Sequence, residues 1–169
     1  RVSALKQALV DSRAQNMTTA LLLDEAQQLP EEALEGVRLL SNLESHGEKV
    51  LQIVLAGQPE LHTNLDRPSL APLKQRIAFW GRLDRLKHGE IAAYVEYRLR
   101  VAGYQGPALF GPPAVEAIGF YSGGVPRLIN VLCRDALVAA HRTGQPLVSS
   151  ETIVETARAL HIGPAFDFT

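Results

Sequence analysis

The chain has 169 residues, 46% hydrophobic and 21% charged, the mix of one globular domain or of one core with a small appended lobe. A formal net charge of −1 gives no global argument for nucleic acid or an acidic membrane. The one cysteine, Cys133, excludes an internal disulfide and any cysteine-cluster metal site; no apolar stretch approaches the ~18 residues of a membrane span, and none has the pattern of a signal peptide.

Val2, Leu5, Leu9 and Val10 sit at helical spacing and predict a helix through "RVSALKQALVDSRAQ". "TTALLL" (Thr18 to Leu23) is β-prone at its start and continuously apolar, as in a strand covered on both faces. Pro30 suits a first helical position, and Glu31 and Glu32 suit a helix N-terminus. The helix so opened buries Leu34, Val37, Leu40 and Leu43 and ends at Gly47. "KVLQIVLAG" (Lys49 to Gly57) is a second buried strand, closed by Gln58-Pro59. Strand, helix, strand is the order of a parallel sheet.

"PELHTNLDRPSLAPLKQR" reads as a short helix, a loop and a turn, and "IAFWGRL" (Ile77 to Leu83) as a third strand. From Lys87 onward the pattern is helical. "HGEIAAYVEYRLRVAGY", "PPAVEAIGFYSG", "VPRLINVLCRDALVAAHRTG" and "SSETIVETARALHI" each predict a helix, the last with a Ser-x-x-Thr start. Cys133 falls inside the third of these and reads as a small buried hydrophobe. The helical part has a core of its own in Ile91, Tyr94, Val95, Leu99, Ile118, Leu128, Ile129 and Leu132. "GPAFDFT" reads as a frayed tail or the start of a linker. An α/β part over residues 1–86 and an all-helical part over 87–169 follow.

Asp24 and Glu25 end the first strand. In open parallel sheets, ligands sit beyond the carboxyl ends of the strands. Neighbouring strand residues face opposite ways, so one carboxylate can hold Mg²⁺ through water while the other polarises an attacking water in phosphoryl transfer. Two acids can equally begin a surface turn. Gln58 ends the second strand at the same edge, where its amide can sense a phosphate or simply precede Pro59. In "SGGVPRLIN", Gly123 and Gly124 read as a flexible joint, and Pro126 puts Arg127 in the first turn of a helix. A cation there is disfavoured by roughly 0.3–1 kcal/mol unless an anion, a phosphate or a neighbouring carboxylate, accompanies it. Arg76 precedes the third strand, where an arginine can reach a neighbouring subunit's nucleotide; Arg82 and Arg85 compete for that role, and a solvated surface position is the alternative.

Acids after an apolar run, a polar residue after the next strand, an arginine before the last, and Gly-Gly-x-Pro-Arg in a helical part resemble, in that order, the AAA+ ATPases. More narrowly, "LLLDEAQQLPEEALEGVRLLSNLES", "LQIVLAGQPEL" and "GGVPRLINVLCRDAL" resemble the general secretion pathway protein A (ExeA-type) ATPases, from about Leu21 to Leu160. The resemblance implies a partial AAA+ P-loop NTPase sheet followed by an all-α lid, with ATP and Mg²⁺ as cofactors. It makes Asp24 and Glu25 the Walker B acids, Asp24 for the metal and Glu25 for catalysis, Gln58 sensor 1, Arg76 the arginine finger and Arg127 sensor 2. It implies a homo-oligomer at the cytoplasmic side of the inner membrane that helps assemble secretion or pilus machinery; the near-neutral charge adds the expectation of no nucleic-acid partner.

No G-x-x-x-x-G-K-[ST] occurs in the 169 residues. The family carries that loop upstream of the first helix here, with the first two sheet strands, and a membrane segment and a periplasmic wall-binding region downstream. The expectation is the C-terminal two-thirds of an ATPase module, inactive by itself and attached to membrane only through those downstream regions. Two other functions are open: a non-catalytic interaction module, and a DNA-linked AAA+ protein such as a transposition helper or replication initiator. A phosphate loop upstream in the same reading frame would favour the enzyme over the first; near-neutral charge and the lack of a basic stripe count against the second.

Overall fold

The computed structural model describes residues 2–45 and 47–165. Arg1, His46 and the last four positions of the "GPAFDFT" tail lie outside the described residues. Packing divides the chain into two units, Arg1–Gly81 and Arg82–Thr169.

The first unit is α/β. Helix α1 (Val2–Ala14) precedes strand β1 (Thr19–Leu23), and helix α2 (Glu31–Leu40) leads on to strand β4 (Leu51–Leu55). β1 and β4 pair in parallel from Thr19 opposite Leu51 to Leu23 opposite Leu55, so their carboxyl ends share one edge. One sheet face is apolar and packed. Ile53 and Leu55 lie against Ala26, Leu34, Leu61 and Leu65, while Leu21 and Ile53 join Leu9, Val50 and Leu51 in a smaller cluster. The other face is open, with Leu22 68% and Val54 46% exposed on opposing positions. This corrects the expectation of strands covered on both faces: the continuous apolar runs are present, but only alternate residues find a packing partner in this unit.

Two boundaries differ from the sequence reading. Pro30 caps α2 from outside, with ψ 157, and Glu31 is the first helical residue; a fixed φ near −65° suits either position. The helix stops at Leu40, where the Ser41 hydroxyl donates to the Arg38 carbonyl (2.7 Å). Gly47 instead serves a hairpin, β2 (Glu44–Ser45) against β3 (Glu48–Lys49), where its φ of +78 suits a residue without a Cβ.

Helix α3 (Glu60–Leu65) and short α4 (Ala71–Lys74) follow, joined by a 3-10 turn. The third strand expected over residues 77–83 is not formed. β1 and β4 pair only with each other among the described residues, so residues 77–83 have no ladder to join. Phe79 is left 84% exposed and Leu83 fully so, while Trp80 meets the His62 ring at 5.2 Å.

The second unit is helical: α5 (His88–Val101), α6 (Pro112–Ser122), α7 (Pro126–Arg142) and α8 (Ser150–Ala159). Ile91, Ile118, Leu132 and Ile153 are completely buried. Tyr94, Leu99 and Cys133 pack against the same core, and burial pushes the Cys133 thiol up to about 12, as suits an inert hydrophobe. Ser149 caps α8 by accepting the Thr152 amide (3.2 Å). The Glu90 carboxylate accepts the Lys87 amide at the start of α5 (2.7 Å). No helix among the described residues is long and apolar enough to cross a membrane.

Candidate functional site

The chain turns sharply where β1 ends. Asp24 follows the last strand residue, and Glu25 takes a left-handed conformation (φ 50, ψ 36). Such a backbone costs a residue with a side chain on the order of 1–3 kcal/mol and is concentrated at functional sites. It is held here by its neighbours. The Glu25 amide donates to Asp24 Oδ1 (2.9 Å), and a 3-10 turn over Ala26–Gln28 follows at once. The Ala26 amide then donates to the Ala56 carbonyl and the Ala56 amide to the Leu23 carbonyl (both 2.9 Å). The β1–β4 ladder thus continues past both strand ends and fixes one turn against the other.

That pairing brings Asp24 and Glu25 beside the Gly57-Gln58 turn that ends β4. All three candidate side chains, Asp24, Glu25 and Gln58, are exposed. Asp24 uses one oxygen on the Glu25 amide and has the other free. This fits a magnesium ion, which keeps most of its waters and needs only one or two protein carboxylates beside phosphate oxygens. No cluster of three His, Cys, Asp or Glu side chains that could hold a metal ion occurs among the described residues.

A residue missed in the sequence ties the site together. Gln27 Nε2 donates to Glu25 Oε2 (2.6 Å), and Gln27 Oε1 accepts the Gln58 backbone amide (3.1 Å). Asn64 Nδ2, on α3, holds the Gln27 carbonyl (3.1 Å). Gly57 makes room for this bridge: a Cβ there would lie 2.5 Å from Gln27 Oε1. The sequence signal is slight, a glutamine two residues after the second acid and a glycine just before the next strand's polar end.

Arg76 follows α4. It is exposed, and its guanidinium donates weakly to the Pro72 carbonyl (3.3 Å). It also adds to the field on Glu35, whose carboxyl is held below its usual range mainly by hydrogen bonds from Arg38. Arg82 pairs with Asp84 (2.9 Å).

Arg127 belongs to the second unit. Pro126 opens α7 and Arg127 follows it in the first turn, exposed and without a carboxylate partner among the described residues. The preceding glycines are not a flexible joint. Gly123 and Gly124 are buried with φ of +54 and +73, the Gly124 carbonyl accepts the Leu86 amide (2.9 Å), and a Cβ on Gly123 would lie 2.8 Å from Ala165. Both are required by a tight turn that aims α7. A concavity of 340 Å³ in this unit, lined by Arg98, Asn130 and Arg134 among others, does not include Arg127. An apolar groove of 460 Å³ along α2 and β1 likewise leaves out Asp24, Glu25 and Gln58.

Residues 1–65 match the family model described as an AAA domain. The chain is 44% identical over 140 residues to general secretion pathway protein A of Aeromonas hydrophila, an alignment covering 83% of this chain and 25% of that protein. The chain thus spans about a quarter of the length of the curated relative it matches. Among solved structures it is similar to the Thermotoga maritima RuvB Holliday junction branch migration motor (17% identity, TM-score 0.66, 92% of this chain and 50% of that one). It is likewise similar to Aeropyrum pernix ORC2 in its ADPNP–ADP complexes (17% identity, TM-score 0.68, 94% of this chain and 43% of that one). At these identities the structural likeness concerns the fold.

Proposed function

The chain belongs to the AAA+ ATPases, in the family of general secretion pathway protein A, and from that membership we propose that its two carboxylates serve ATP hydrolysis in the assembly of a bacterial secretion or pilus machine. The observation that carries the reading is the pairing of β1 with β4, which sets Asp24 and Glu25 beside Gln58 at one sheet edge. Glu25 would accept a hydrogen bond from the attacking water and draw its proton away as the oxygen meets the terminal phosphate. The Gln58 amide would donate to a phosphate oxygen. Asp24 would hold a hydrated magnesium ion, which when bound neutralises charge on the phosphates. Residues 1–86 act as part of the nucleotide-binding core and 87–169 as its lid, with Arg127 supplying a guanidinium to the nucleotide. Arg76 would act on a neighbouring subunit's nucleotide, which requires a homo-oligomer.

Phosphate affinity in such sites rests on backbone amides and a lysine of a G-x-x-x-x-G-K-[ST] loop, which these 169 residues do not contain. By themselves they should bind Mg-ATP weakly or not at all and be inactive. Work at the cytoplasmic face of the inner membrane with envelope secretion proteins is drawn from the relative's name and the family. The DNA-linked alternative gains nothing from the likeness to RuvB and ORC2, since at 17% identity that likeness concerns the fold alone. A non-catalytic interaction module predicts no turnover in any form of the protein.

The test uses the full-length natural polypeptide that carries this sequence. Glu25→Gln should keep nucleotide binding and lose turnover by roughly 10²-fold or more, because the amide is nearly isosteric but cannot take the proton. Turnover of the variant at the wild-type rate would show that Glu25 is not the base.

A further inference from the structure

We propose that Gln27 is a positioning residue that couples the Gln58 turn to the Glu25 carboxylate. The inference rests on the reading of Glu25 as the group that polarises water. Glu25 is exposed, and a free carboxylate on a surface turn samples several rotamers. One of its oxygens is held by Gln27 Nε2 at 2.6 Å, a short charge-assisted bond, which leaves the other oxygen for a water. The opposite end of the same amide accepts the Gln58 backbone N–H. A planar amide cannot move one end independently of the other, so a shift of the Gln58 turn as its side chain meets a phosphate re-aims Glu25.

Three surrounding features hold the relay in place. Asn64 fixes the Gln27 backbone from α3, the Ala26 and Ala56 amides lock the two turns together, and Gly57 leaves the space that the Gln27 side chain fills. Gly57 has an ordinary backbone conformation with no positive φ, so its lack of a Cβ matters here for space and not for torsional freedom. This arrangement gives two independent ways to break the relay. Gln27→Glu keeps an acceptor for the Gln58 amide but has no donor for Glu25, and it adds like charge. Gly57→Ala places a Cβ 2.5 Å from Gln27 Oε1, which displaces that amide, and 3.3 Å from the backbone nitrogens of Ala26 and Gln27, while leaving Gln27, Glu25 and Gln58 unchanged in identity.

In the full-length natural polypeptide, both variants should lower kcat at least tenfold, with KM for Mg-ATP within twofold and the melting temperature nearly unchanged. In a Glu25→Gln background, adding Gln27→Glu should lower the residual turnover no further, because the relay then has nothing to aim. Should Gln27→Glu unfold the protein, Gly57→Ala decides alone. An unchanged or increased kcat in the variants, with Glu25→Gln inactive, overturns the relay and leaves the role of Glu25 standing. A wild-type polypeptide that does not hydrolyse ATP, or a Glu25→Gln variant that still does, overturns the reading beneath it as well.

Discussion

In the second unit ten described residues, from Ile91 to Ile153, share one buried cluster, whereas the first divides its core into seven around Leu34 and Leu65 and three around Leu9. The difference follows from the backbone. A helix satisfies its own amides and carbonyls and needs only an apolar partner for one face; α5 to α8 provide that to one another. A strand depends on neighbours at both edges and on cover for both faces. β1 and β4 each have one neighbour among the described residues, and Leu22 and Val54 stand on an uncovered face. A two-stranded sheet is marginal by itself, and flat apolar edges invite association. The catalytic candidates Asp24, Glu25 and Gln58 therefore sit on the less self-sufficient unit.

One substitution made in both units is the most direct way to sharpen this contrast. Leu132→Ala empties a completely buried site in the helical unit and should cost about 2–5 kcal/mol in denaturant unfolding. Leu22→Ala, on the open strand face at 68% exposure, should cost less than about 0.5 kcal/mol and lessen self-association in light scattering. A cost at Leu22 comparable to that at Leu132 would mean that a second layer covers the sheet in solution, as repair of the sheet between copies would provide.

Hydrogen exchange reads the next largest difference. At low protein concentration the amides of Gln52 to Leu55 should be at least ~10-fold less protected than those of Leu128 to Leu132, a gap of about 1.4 kcal/mol or more. Equal protection in a monomeric sample would break the comparison and show that β4 has partners beyond β1.

The same contrast governs what the sequence disclosed. The four helices of the second unit were legible because their periodicity and end signals are local: Pro112, Pro126 and Ser149 stand at the helix starts that they predict. The strands were legible as apolar runs, and the acids as their polar stop. Strand status itself was not, because pairing is a property of two segments. "IAFWGRL" has the composition of a strand and no ladder to join. Gln27 was invisible for a similar reason, since its partner Gln58 lies 31 residues away and only the β1–β4 register brings them together. The glycines of "SGGVP" were misread because a glycine pair signals left-handed turns and looseness alike, and only packing separates the two.

The smallest expected effect is electrostatic. Four carboxyls of the first unit, Glu35, Glu44, Glu48 and Asp66, are held below their ordinary range, chiefly by hydrogen bonds from Arg38, Lys49, Arg13 and Lys74. In the second unit only Asp135, beside Arg134, and Glu151, among the backbone and hydroxyl donors at the start of α8, are held down among the described residues. A folded-state pKa below the unfolded one contributes stability that is fully present above the unfolded value, near 4, and lost as pH falls through the folded value. Acid should therefore weaken the first unit before the second, in a window opening just below pH ~4. Three of these pairs in the first unit are solvent-exposed and the fourth, Glu35 with Arg38, is only half-buried, so the lag between the units should be slight at low ionic strength and should largely vanish in ~1 M salt, where the screening length falls to about 3 Å. Residue-resolved NMR intensities followed from pH 5 to pH 3 at two salt concentrations would measure it. Loss of both units at one pH, with no dependence on salt, would show that acid acts through their shared charge and not through these pairs.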